Sequence, residues 1–114
     1  MTDRAYQRGA VHWVDFSRSR GGEVRKVRPA INISSDIANR LLNRVQVVPM
    51  TSNISRVFAS EALVHLGGST SKAMADQITT ATKERLGDRL GRLTAEDMAE
   101  VEGAIRRQLG LQGR

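Results

Sequence analysis

A chain of 114 residues that is 39% hydrophobic has enough material for one domain with a modest core. The absence of cysteine excludes disulfides, thiolate metal sites and a cysteine nucleophile, and no apolar run approaches the ~18 residues of a membrane span. Eighteen Lys+Arg against twelve Asp+Glu leave a formal net charge of +6, which favours a polyanionic partner such as a nucleic acid.

Met1 to Gln7 is polar and charged, with none of the apolar character of a signal peptide, and reads as a mobile tail. A cytosolic location follows as the expectation. Arg8-Gly9 then opens a first strand, Ala10 to Phe16. Its alternation sets Val11 and Trp13 on one face, with Trp13 as core anchor, and His12 and Val14 on the other. Ser17 to Lys26 is a basic loop softened by Gly21-Gly22. Arg18, Arg20, Arg25 and Lys26 suit contact with a phosphate backbone.

Arg28-Pro29 leads into the next strand, Ala30 to Ser34, with Ile31 and Ile33 inward and Asn32 outward. Pro29 fixes its own φ and pushes Arg28 toward extended geometry, which predicts a rigid loop-to-strand junction at Arg28. Ser34 or Ser35 caps a short helix from about Asp36 to Leu42. Val45 to Val48 is a third strand, closed by Pro49, and delivers Thr51 to a strand end. Ser52, Asn53 and Arg56 fall in a second polar loop, Thr51 to Ser60. A strand from Ala62 to Leu66 ends at Gly67-Gly68-Ser69.

Arg85 to Asp88 is expected to turn, and Leu90 to Leu93 to form a last short strand. Thr94-Ala95-Glu96-Asp97 is a near capping box for a final helix, residues 94–109, with Met98, Val101, Ile105 and Leu109 in one stripe. Gly110 is placed to end it.

An arginine and a hydroxyl at two strand ends, Arg28 and Thr51, would flank one phosphate. That pair suits RNA cleavage, in which the substrate's own 2′-hydroxyl attacks phosphorus and the protein positions it and stabilises charge. Arginine's planar fork matches phosphate oxygens, and as a poor proton donor it is assigned stabilisation. Glu23 either orders the first loop by pairing with an arginine or helps place a substrate proton. Two histidines without a carboxylate cluster make no metal centre, and no cofactor is expected. No Gly-Lys-Ser/Thr phosphate loop or Gly-x-Ser-x-Gly elbow is present. Aromatic residues at 4% are too few for a broad stacking platform.

Arg8 to Phe16, Gly22-Glu23 leading to Arg28-Pro29-Ala30, Val48-Pro49-Met50-Thr51 and Ala75-Asp76-Gln77-Ile78 resemble, in order and spacing, the MazF/PemK toxins. The resemblance runs from about Arg8 to the C-terminal helix. It implies a mainly β, SH3-like barrel with a short internal helix and a terminal helix, in a single domain over 1–114. The segment from Lys72 to Lys83, which alanine content alone would allow as helix, is assigned as extended by the resemblance. It also implies a homodimer that cleaves single-stranded RNA sequence-specifically without metal and is neutralised by an acidic antitoxin. Arg28 and Thr51 fall on the family's catalytic positions, Glu23 on one that assists in some members, and Gln77 is assigned to RNA contact. Some members have histidine where this chain has Val27, which leaves the general acid and base open. The alternatives are a gyrase-poisoning toxin of the same fold and a non-catalytic RNA-binding module. The arginine–threonine pair favours the nuclease.

Overall fold

The computed structural model describes residues 6–17 and 26–111. Seven strands form one antiparallel sheet: β1 (Ala10–Asp15), β2 (Val27–Asn32), β3 (Arg44–Thr51), β4 (Glu61–Leu66), β5 (Ser69–Met74), β6 (Thr79–Thr82) and β7 (Leu86–Arg92). Two helices accompany them, α1 (Asp36–Leu41) and α2 (Ala95–Leu109). The strand path runs β4-β5-β3-β2-β1-β7, with β6 paired to β3. The mainly β, curled half-barrel with a C-terminal helix is the expected architecture. Among the described residues no helix is long and apolar enough to cross a membrane.

The sheet is covered on both faces. On one side Val11, Ile31, Val48 and Val64 pack with Val101 and Ala104 of α2. On the other, Val14, Ala30, Val45, Val47 and Ala81 form a smaller core with Phe16 and Leu86 against it. Two cores explain why simple alternation fails along β1. His12 is buried at 3% exposure, bonded through Nδ1 to Gly87 O at 3.1 Å, whereas Trp13 is 40% exposed. Trp13 shares the α2-side face with Val11 and lies level with Pro29, but it is not part of the core that packs on α2. The expected core anchor is therefore a surface ring.

Several boundaries also differ. β2 begins at Val27, so Arg28 and Pro29 lie inside the strand rather than at its junction with a loop. Asn32 is buried, because its Nδ2 donates to Asn39 Oδ1 at 3.1 Å and its Oδ1 accepts from Ser34 N at 2.9 Å. A fully bonded amide can enter a core that an unpaired one could not. Pro49 does not close β3, which continues to Thr51. Past Val47, opposite Thr79 of β6, the flanking partner changes to β5, where Ala73 stands opposite Met50. Pro49 falls in that gap, where its missing N–H breaks no continuous ladder.

The segment read as extended from Lys72 to Lys83 divides into the end of β5, a 3₁₀ turn at Ala75–Gln77, and β6. The turn expected at Arg85 to Asp88 lies earlier, as a 3₁₀ turn at Lys83–Arg85, and β7 is correspondingly longer. Gly67 and Gly68 make a two-residue hairpin, both with positive φ, the combination a type I′ turn requires. Gly91 lets the two ends of the strand path meet, since a Cβ there would stand 2.9 Å from Leu66 Cδ1 of β4.

Both helices are capped as their sequences imply. Ser35 Oγ accepts from Ala38 N, and Thr94 Oγ1 accepts from Asp97 N. Gly110 takes the left-handed conformation that ends α2. Within the α2 stripe Val101 is buried and Leu109 exposed. Ile37 and Leu41 of α1 face solvent. The expected mobile tail extends too far: Tyr6 stacks on His12, and Gln7 O accepts from Ala10 N at 3.0 Å. Arg8 ties the N-terminal segment to the rest, pairing with Glu102 of α2 and donating to Ile33 O and, from its backbone, to Asp36 Oδ1.

Candidate functional site

Register places the two principal candidates on one row. Ala30 pairs with Pro49 and Asn32 with Val47, so two residues further along Arg28 is level with Thr51. Arg28 is level with Val14 of β1, and Thr51 with Lys72 of β5. Level residues on antiparallel strands project from the same face. The row Val14, Arg28, Thr51, Lys72 thus crosses four strands at one end of the sheet, on the side of the smaller core.

Arg28 is exposed and Thr51 half-buried. Thr51 Oγ1 accepts from Asn53 N at 3.3 Å, which fixes the hydroxyl oxygen and leaves its proton to be donated outward. Asn53 in turn shapes the loop after β3, its Oδ1 accepting from Ser55 N at 3.2 Å and Ser55 Oγ at 2.9 Å. Ser52, Asn53 and Arg56 are exposed beside Thr51 in that loop, and Lys26 is exposed two residues before Arg28.

Gln77 is not brought to this cluster. The β5 register runs away from Thr51 as it approaches Gln77, which sits in the 3₁₀ turn toward the Val47 end of β3. Its Nε2 reaches Met74 Sδ at 3.5 Å. Arg18, Arg20, Glu23 and Arg25 lie outside the described residues. The two ends of their loop are described, and they are fastened. Lys26 N donates to Ser17 Oγ at 2.7 Å, Phe16 N to Lys26 O at 2.7 Å, and the Arg85 guanidinium to Asp15 O and Ser17 O.

Sequence reasoning missed the pair that holds the second loop. Lys72 Nζ lies 3.0 Å from Glu61 Oε1, with the side chains 11% and 9% exposed, and donates to Arg56 O at 2.7 Å. Glu61 Oε1 also accepts from Phe58 N at 2.9 Å. A buried ammonium and carboxylate persist only when paired and bonded in this way. The signal was present in the hairpin centred on Gly67-Gly68. Its register sets Leu63 against Lys72 and Glu61 against Met74, which makes Glu61 and Lys72 diagonal neighbours on one face.

The sequence profile of the PemK-like, MazF-like toxins of type II toxin–antitoxin systems matches residues 7–109. The chain belongs to that family. It is 35% identical to the endoribonuclease MazF9 of Mycobacterium tuberculosis, across 92% of this chain and 97% of that protein. Among solved structures, a mycobacterial endoribonuclease in complex with its cognate antitoxin superposes with a TM-score of 0.80 at 28% identity, covering 95% and 98% of the two chains. MazE–MazF from Deinococcus radiodurans gives 0.78 at 27% identity, covering 93% and 96%. The row from Arg28 to Lys72 is thus a feature of a MazF-like toxin fold.

Proposed function

We propose that this chain is the toxin of a type II toxin–antitoxin pair and acts in the cytoplasm as a single-domain, metal-independent endoribonuclease on single-stranded RNA. The observation that carries the reading is Arg28 level with Thr51 at the open end of the sheet. The names of its relatives, an endoribonuclease and one bound to an antitoxin, support the same conclusion.

In this reading the 2′-hydroxyl oxygen attacks the adjacent phosphorus while its proton is removed. The bond from phosphorus to the 5′-oxygen breaks, that oxygen takes up a proton, and a cyclic phosphate and a 5′-hydroxyl remain. Charge accumulates on the non-bridging oxygens as the five-bonded phosphorus forms. Arg28 meets it with a planar fork of donors, and Thr51 contributes one hydroxyl donor. Glu23 assists on the first loop. Arg18, Arg20, Arg25 and Lys26 of the first loop and Ser52, Asn53 and Arg56 of the second hold the flanking backbone, with Gln77, away from the cluster, contacting RNA farther along its length.

Two copies act together. Trp13 and Val27 are exposed on the face that also carries Pro29, an apolar patch suited to a homodimer. The antitoxin lays an acidic segment over the same arginines and competes with RNA there. A gyrase-binding toxin would have no use for a phosphate-matched arginine and hydroxyl on one row.

The test is incubation of purified protein with a long RNA in EDTA and mapping of ends by primer extension. Discrete cuts that disappear with Arg28→Ala support the reading. Intact RNA, or cuts that persist in that variant, would overturn it.

A further inference from the structure

The loop between β3 and β4 presents a phenyl ring to water although the backbone beneath it is tied down. Phe58 is 54% exposed. Its N–H donates to Glu61 Oε1 and its carbonyl accepts from Glu61 N, each at 2.9 Å. The next two carbonyls are also held, Ala59 O by Arg107 Nε at 2.8 Å and Ser60 O by Ala75 N at 3.0 Å. The backbone beneath the ring is therefore held by β4, the 3₁₀ turn that follows β5, and α2, and is not a slack loop.

Its surroundings fit a nucleobase. The Lys72 ammonium lies 5.8 Å from the ring centroid and the exposed Arg56 guanidinium 5.6 Å from it. Lys72 is the residue level with Thr51, so the ring stands at the Lys72 end of the row that carries Arg28 and Thr51. There the base next to a phosphate held at Thr51 would meet the ring. Neighbouring strands are only about 4.8 Å apart. Surface cation–π contacts shift an equilibrium about 2- to 5-fold. Stacking of one base on an aromatic ring is worth roughly 10- to 100-fold, so an incoming base displaces Arg56, which then meets phosphate.

We propose that Phe58 is a stacking contact for a nucleobase adjoining the scissile phosphate, held in its outward position by the Lys72–Glu61 pair. The inference rests on the ribonuclease reading above and adds to it a base subsite. Phe58 by itself gives a single stacking position rather than a broad platform, in keeping with the low aromatic content of the chain.

The experiment uses an RNA oligonucleotide spanning a mapped cut, blocked by a 2′-deoxy sugar at the cut and carrying 2-aminopurine at each flanking position in turn. Wild-type protein should quench the fluorescence at one flanking position. Phe58→Leu should lose that quench and bind about 10-fold or more weakly, while Phe58→Trp keeps both. Thermal unfolding should be unchanged in both variants, because the ring is exposed. If Phe58→Leu binds within 2-fold of wild type with the quench intact, the subsite is wrong although RNA cleavage stands. If it instead dissociates the dimer in light scattering with RNA affinity unchanged, the ring belongs to a protein contact and the inference falls. A wild-type chain that cuts no RNA would remove the ribonuclease reading itself, a different failure.

Discussion

Continued two residues beyond its last pair, Ala30 with Pro49, the register that joins β2 and β3 sets Arg28 opposite Thr51. Each therefore lies where the strands are no longer paired, in a position to take a ligand between them.

Arg28→Ala should abolish RNA cleavage, and Arg28→Lys should fail badly, because a single ammonium lacks the fork that fits two phosphate oxygens. Folding should be unaffected, since Arg28 is exposed. Turnover of a labelled RNA alongside circular dichroism separates the two; wild-type turnover in either variant would remove Arg28 from the site.

Thr51→Val should lower the cleavage rate by about 10²-fold, a typical loss for one donor to a developing oxyanion. Thr51→Ser should retain most of it, because a serine hydroxyl can accept from Asn53 N and donate outward in the same way. Single-turnover kinetics decide. Equal rates in all three proteins would reduce Thr51 to a turn-forming residue.

Lys72→Met strands the Glu61 carboxylate under the second loop and should cost about 3 kcal/mol in urea denaturation, the scale for breaking one side of a buried pair. Adding Glu61→Gln should recover part of that loss, since the amide oxygen can still accept from Phe58 N. Additive losses in the double variant would mean the two side chains are not coupled.

Stability should also respond to acid through Asp36. The Arg8 N–H first, and then the Asn39 amide, bond its carboxylate and hold its pKa below the ordinary 3.8. A lowered folded-state value stabilises above the unfolded pKa, and that contribution is lost as pH falls through the folded one. Wild type should therefore lose stability below about pH 4 more steeply than Asp36→Asn, by a small margin because the group is exposed. Parallel slopes in denaturant titrations across that range would count against it.

The candidate pair was chosen on local signals, a proline and the ends of apolar runs, although β2 begins one residue before the junction that Pro29 implied for Arg28. Pro29 marked Arg28, and the apolar run before Thr51 marked the hydroxyl. What could not be read locally was which face of each strand is covered. A sheet with cores on both sides buries His12 and Val14 as well as Val11, so period-two alternation carries no inside or outside, and Trp13 was misassigned for that reason. Pro49 was misread as a stop because its effect depends on where β3 exchanges β6 for β5, a relation between distant segments. The Lys72–Glu61 pair required a hairpin register, and Gln77 required knowing that β5 runs away from Thr51. The helix α2, by contrast, was specified almost wholly by its own residues: a capping threonine, acids in the first turn, and a terminal glycine.

The pairing of β1 with β7 carries a consequence in time. Ala10 is opposite Arg92, and Gly9 O accepts from Leu93 N at 3.0 Å, so the first strand made is completed by nearly the last. Contacts this distant in sequence form late and slowly. At ~5–20 residues per second, roughly 4–16 s of synthesis separate the two strands. Throughout that interval β1 has an open edge and α2 does not yet exist to cover the sheet. On the proposed reading the strands that carry Arg28 and Thr51 are thus made several seconds before the sheet that holds them can be completed. An antitoxin already in the cell has those seconds, without needing to be faster than the toxin's chemistry.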